Sequence, residues 1–75
     1  MSISINELYE QYEKSIALQT SIIDSCRRDL EKARLQRKNI LAAELHRNLR
    51  ILYDERLELM ASACELRKYI ETTQS

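Results

Sequence analysis

Apolar residues recur at alternating spacings of three and four along the first half of the chain, as in a helix that packs along one seam. This first seam comprises Ile5, Tyr9, Tyr12, Ile16, Gln19, Ile23, Cys26, Leu30 and Ala33. A second seam follows in a different frame and comprises Ala42, Leu45, Leu49, Leu52, Arg56, Leu59, Ala63, Leu66 and Ile70. Continuing the first frame would place mostly charged residues on the seam. The chain is therefore predicted to turn between the two seams.

This pattern predicts an all-α fold, a coiled-coil-like antiparallel two-helix hairpin that forms a single domain over residues 1–75. The predicted elements are a helix at 5–36, a turn at 36–39, a helix at 40–71 and a polar tail at 72–75. Ser4 with Glu7 three residues later forms a capping box that marks the first helix start. Since the chain has no glycine, Asn39 is predicted to adopt the left-handed conformation at the turn or to cap the second helix.

Antiparallel pairing about this turn aligns the two seams so that the one polar residue in each, Gln19 and Arg56, falls in the same layer. We interpret this pair as a polar layer that sets the alignment of the helices at some cost in stability. The alternative is a buried cationic site for an anion or an acidic partner residue. That alternative needs a counter-charge, and the sequence does not locate one.

Further apolar residues lie outside the seams, and a lone hairpin cannot cover them all. A chain of 75 residues also buries so little surface that oligomerisation commonly supplies part of its stability. Two hairpins are therefore predicted to dimerise into a four-helix bundle. The residues predicted to mediate self-association are Leu8, Leu18, Ile22, Tyr53, Leu57 and Met60.

The formal net charge of +0 hides three blocks of alternating sign. Residues 1–26 and 51–75 carry an excess of acids, whereas residues 27–50 carry eight bases and three acids. In an antiparallel dimer, the basic turn end of one hairpin would lie beside the acidic open end of the other, which favours self-association. The alternative is a surface for an anion, a nucleotide or a nucleic acid, formed by Arg34, Arg37, Lys38 and Arg47. No aromatic residue lies among these bases to stack on a nucleobase.

Candidate chemistry is sparse along the chain. The single histidine, His46, has no Cys or His three or four residues away, so no metal site is predicted. Cys26 and Cys64 lie in different layers of the hairpin, which excludes an intrachain disulfide. A secreted chain of this size would usually carry more than two cysteines, so a cytoplasmic location is predicted. No stretch approaches the ~20 apolar residues of a membrane helix, and no Ser-His-Asp set is brought together. We therefore predict no catalysis, no cofactor and no membrane association.

The segment Leu49-Arg50-Ile51-Leu52-Tyr53-Asp54-Glu55-Arg56, followed by Leu59, Ala63, Leu66 and Tyr69, resembles the second helix of small uncharacterised helical-hairpin proteins of Gram-positive bacterial mobile elements. The opening Leu8-Tyr9-Glu10-Gln11-Tyr12 is similar in style. The chain departs from these proteins in having no glycine at its turn. The resemblance implies an accessory role on a phage or transposon, with no assigned activity and no functional residues to carry over.

These observations together predict a non-catalytic protein-protein interaction module that acts as an adaptor, a regulator or an inhibitor. Its predicted partner is a second copy of itself, with another protein as a further candidate. Anion or nucleic-acid binding at the basic turn is the alternative. A viral protein that sequesters a host defence factor or a signalling nucleotide also stays open.

Overall fold

Two long helices, α1 (Ile5–Leu35) and α2 (Asn39–Gln74), make up the chain in a computed structural model that describes residues 3–74, with only the backbone at 74. Residues 1, 2 and 75 of the predicted domain lie outside the described residues. The helices pack against each other, and the described residues contain no strand, so the predicted all-α hairpin is confirmed. The hairpin is 55 Å long and 19 × 18 Å across. That length is what 36 residues give at about 1.5 Å each.

The first helix begins where the capping pattern predicted. Ser4 has extended backbone angles, and its side-chain oxygen accepts a hydrogen bond from the Glu7 amide at 3.1 Å. Its carbonyl accepts the Leu8 amide at 3.0 Å. The first bond satisfies the Glu7 amide, which a helix start would otherwise leave without a partner, and the second is the first bond of the helix itself.

The turn is a Schellman motif built without glycine. Arg37 adopts the left-handed conformation at φ 57°, which corrects the prediction that Asn39 would do so. The Lys38 amide donates to the Ala33 carbonyl at 2.9 Å and the Arg37 amide to the Arg34 carbonyl at 3.0 Å. These are the two bonds that end a helix at a left-handed residue. Asn39 is instead the first residue of α2, one position earlier than predicted, and so does not precede the helix as its cap.

The second helix continues past its predicted end at residue 71. Hydroxyl groups in its last turns donate back to the helix, from Thr72 to the Lys68 carbonyl at 2.8 Å and from Thr73 to the Tyr69 carbonyl at 3.0 Å. Such bonds from i to i−4 keep threonine compatible with helical backbone. The predicted polar tail is therefore helical through residue 74.

The core is small and lies mainly in the half of the hairpin nearer the turn. Every residue of the two predicted seams is buried or half-buried except Ile5, which is 40% exposed at the open end. The buried cluster consists of Ile23, Leu30 and Leu49. The other buried hydrophobic residues are Ala33 beside the turn and Ala63 towards the open end. The seams are thus as predicted, but they enclose few side chains completely.

Two hydrogen bonds across the helices report their alignment. The Cys26 thiol donates to the Leu45 carbonyl at 3.6 Å, and the Gln19 amide donates to the Leu52 carbonyl at 3.3 Å. A helical carbonyl points towards the residue four positions later. Cys26 therefore lies near the level of Leu49, and Gln19 near the level of Arg56, as the pairing of the seams predicted.

Candidate interaction surfaces

Gln19 and Arg56 share a level but bind different partners. The Gln19 amide also donates to the Glu55 carboxylate at 3.0 Å, so it contacts α2 twice. The Arg56 guanidinium donates to the Thr20 hydroxyl at 3.2 Å and lies 5.2 Å from the centre of the Tyr53 ring. Both side chains therefore reach the other helix, and Arg56 also packs on Tyr53 of its own helix. The polar layer thus includes Thr20 and Glu55 in addition to the two residues that the sequence predicted.

The environment of this layer fits alignment better than anion binding. Both Gln19 and Arg56 are half-buried rather than enclosed. Arg56 forms no ion pair with a carboxylate among residues 3–74. No buried side-chain nitrogen or oxygen in that range is left without a hydrogen-bond partner. Thr20 and Glu55 were missed in the sequence because neither lies on a seam.

Grooves flank the seam on both sides of the hairpin. The first side, here called the Met60 face, has a groove of ≈ 510 Å³ towards the open end, where Glu13, Ala17, Met60 and Cys64 are among the lining residues. Towards the turn the same face forms a groove of ≈ 880 Å³, whose lining includes Asp24, Arg27, Glu31, Arg34 and Tyr53. The second, here called the Ile22 face, has a groove of ≈ 450 Å³ whose lining includes Ile22, Ser25, Asp29, Asn48 and Ile51.

The six residues predicted for self-association are divided between these faces. The helical repeat places Leu57 with Tyr53 and Met60, and Leu8 and Leu18 with Ile22. Leu18 and Leu57 are the most exposed of the six, at 63% and 64%, whereas Leu8 and Tyr53 are half-buried. They therefore form two apolar strips on opposite sides. Ile51, 51% exposed on the Ile22 face, was absent from the predicted set.

Charge distinguishes the two faces more clearly than apolar area does. The Met60 face carries both signs of charge in each half. Glu13 and Arg67 line its groove at the open end, and the charged residues that line its groove towards the turn include Asp24, Arg27, Glu31 and Arg34. On the Ile22 face, carboxylates outnumber bases. The bases there are Lys32 and Lys38, which line one groove with Asp29, and the carboxylates are Asp29, Glu44, Glu55, Glu58 and Glu65.

Two ionisable pairs lie at the open end of the Met60 face. A hydrogen bond to the Glu13 carboxylate, with desolvation as the next cause, raises the pKa of the Tyr9 phenol. Glu71 raises the pKa of Arg67 by accepting its hydrogen bond, with the two charged groups 3.1 Å apart. Both members of this ion pair are mostly exposed, at 69% and 65%, so the pair adds little to folding stability.

The four bases of the alternative site are all exposed but do not converge on one point. Arg37 and Lys38 form the tip of the turn, and Arg34 precedes it in the last turn of α1. Arg47 lies about 12 Å along α2 from its first residue, on the side away from the seam. The first turn of α2 carries no acidic residue to complement the helix dipole.

Neither cysteine forms a disulfide, with Cys26 half-buried on the seam and Cys64 exposed on the Met60 face. In residues 3–74 there is no group of three or more His, Cys, Asp or Glu arranged to hold a metal ion. Over the same range, neither helix is long and apolar enough to span a membrane. Comparisons with protein-family models, curated proteins and solved structures found no match. The surface itself is thus the basis for assigning a function.

Proposed function

We propose that this chain is a non-catalytic protein-protein interaction module, an adaptor, regulator or inhibitor that self-associates as a homodimeric four-helix bundle. The observation that carries the proposal is the exposure of large apolar side chains along both grooves, including Leu57 at 64% and Met60 at 48%. Covering a large aliphatic side chain contributes roughly 1.5–3 kcal/mol when it becomes fully buried. No other element among residues 3–74 covers them.

The size of the hairpin also suits a dimer. One face of a molecule 55 Å long and 19 Å wide offers about 1,000 Å², and stable interfaces bury about 800 Å² per partner. Its free thiols favour a reducing cytoplasm as the working compartment. The resemblance to mobile-element hairpins supports an accessory role there, and another protein is a second candidate partner.

The second candidate function is binding of an anion, nucleotide or nucleic acid at the basic turn. Arg47 and Arg50 favour it, because they extend the positive charge of the turn along α2 and form no ion pair with a carboxylate among residues 3–74. This function would act through Arg34, Arg37 and Lys38 together with Arg47.

Light scattering across protein concentration, at low and high salt, tests the first candidate. The expected result is the mass of two chains at micromolar concentration, with dissociation promoted by salt. A monomer under all conditions would refute self-association. The double variant Arg37→Glu with Lys38→Glu tests the second candidate. Loss of binding to a fluorescent single-stranded DNA, or to ATP, with unchanged mass would favour it.

A further inference from the structure

We infer that self-association uses the Met60 face, with a second copy of this chain docked antiparallel about a two-fold axis at the level of Thr20. This inference rests on the proposed self-association and specifies its surface and geometry. The Ile22 face is the weaker candidate, because a two-fold pairing of that face would bring ten carboxylates together with only four lysines, Lys32 and Lys38 of each copy. Like charges held together in this way oppose association.

The Met60 face, by contrast, complements itself when one copy is reversed. Thr20 is the central residue of α1 (Ile5–Leu35), and Glu13 and Arg27 lie seven residues before and after it on the same face. An axis at Thr20 therefore sets Glu13 of each copy level with Arg27 of the other, twice per dimer.

The apolar middle of the face fits the same axis. Gln19 is level with Arg56, so Thr20 lies level with Glu55, between Tyr53 and Leu57 along α2. In the antiparallel dimer, Leu57 of each copy lies opposite Tyr53 of the other. Leu57 is 64% exposed in the single chain and has room to be covered.

A parallel dimer through the same face lacks this complementarity. Two-fold rotation about the long axis stacks α1 of one copy on α2 of the other, with both basic turns at one end. Arg50 of one copy would then lie level with Ser25 of the other, between Asp24 and Arg27. Glu13 would lie level with Ser62 and have no base within one helical turn along α2. The reversed arrangement is the one that sets Glu13 level with Arg27.

Charge exchange tests the pairing without requiring a structure of the dimer. Glu13→Arg alone and Arg27→Glu alone are each expected to raise the dimer dissociation constant roughly tenfold or more, because each places two like-charged pairs in the interface. An equimolar mixture of the two variants restores complementary pairs and is expected to regain the mass of two chains. Circular dichroism of each variant checks that the helices are intact. Failure of the mixture to regain the dimer would overturn the antiparallel pairing.

Disulfide formation tests the axis directly. In a Cys64→Ser background, Thr20→Cys is expected to form an interchain disulfide in air, because the two introduced thiols meet at the axis. Asp24→Cys on the same face is the matched control, since its two copies lie about 12 Å apart along the helices and cannot bond. Ile22→Cys is the control for the opposite face.

The outcomes separate this inference from the function on which it rests. A wild-type chain that is monomeric by light scattering overturns both. A wild-type dimer in which Ile22→Cys crosslinks and Thr20→Cys does not overturns the Met60 face alone and leaves self-association standing. A dimer with the Thr20→Cys crosslink and rescue by the mixed variants supports the inferred geometry.

Discussion

Replacing Arg37 with glycine is expected to stabilise the hairpin by about 1 kcal/mol. At φ 57° the Arg37 Cβ atom crowds the following carbonyl oxygen, which costs roughly 1–2 kcal/mol for a residue other than glycine. Glycine removes this strain but gains more conformational freedom in the unfolded chain, which offsets roughly 0.5–1 kcal/mol. The net increase in the free energy of unfolding is large for a substitution that adds no contact.

Urea unfolding followed by circular dichroism measures the effect. For a small domain with a slope of about 1 kcal/mol per molar urea, the midpoint should rise by about 1 M at unchanged slope. Arg37→Ala is the matched control, because it removes the same charge but keeps Cβ, and its midpoint should stay near that of the wild type. All samples need one protein concentration, since association raises apparent stability. A glycine variant no more stable than the alanine variant would refute the left-handed conformation at this position.

Three further predictions concern the core, the polar layer and the open end. Ile23→Ala is expected to cost about 3 kcal/mol in urea unfolding, because Ile23 is only 1% exposed. Leu18→Ala, at 63% exposed, should cost less than about 0.5 kcal/mol. Arg56→Leu is expected to raise the thermal midpoint by a few degrees, since its hydroxyl partner can turn back to a carbonyl of its own helix; a lower midpoint at unchanged mass would contradict this. Glu13→Ala should lower the pH at which Tyr9 ionises in an NMR titration of labelled tyrosines, because it removes the hydrogen bond that raises that pKa. The raised pKa favours the protonated phenol in the folded chain, so its stabilising contribution is present below about pH 10 and is lost as pH rises through the folded pKa.

Periodicity was sufficient to predict the helices, their seams and their alignment. Those features follow from which residues must leave water, and the apolar spacing encodes that choice. The left-handed residue was predicted wrongly because Asn has the better intrinsic tolerance of that conformation. In the structure, the position of the left-handed residue is decided by where α1 ends and by the two backbone hydrogen bonds that close its last turn, donated by the Arg37 and Lys38 amides. Local geometry therefore overrides residue preference there.

The interaction surfaces were only partly predictable. Leu18 and Leu57 stand out in the sequence as apolar residues off the seams, but their separation onto opposite faces emerges only when both helices are placed side by side. The contacts of Thr20 and Glu55 depend on side-chain conformations across the hairpin, for which the sequence carries no periodic signal. The sequence shows that Thr20 and Glu55 can form hydrogen bonds, but it does not show that they lie beside Arg56 and Gln19.

The position of the turn has a kinetic consequence. Ala33 and Ala42 beside it are nine residues apart, whereas Ile5 and Ile70 at the open end are 65 residues apart. Closing the far layer first costs about 1.8 kcal/mol more chain entropy than closing the near one, so closure from the turn is favoured roughly twentyfold. Closure then proceeds layer by layer and reaches Gln19 and Arg56 halfway. In a hairpin with the wrong alignment, the Arg56 guanidinium would have to enter an apolar layer at this point. Further closure of that hairpin is therefore unfavourable, and its distant layers do not form.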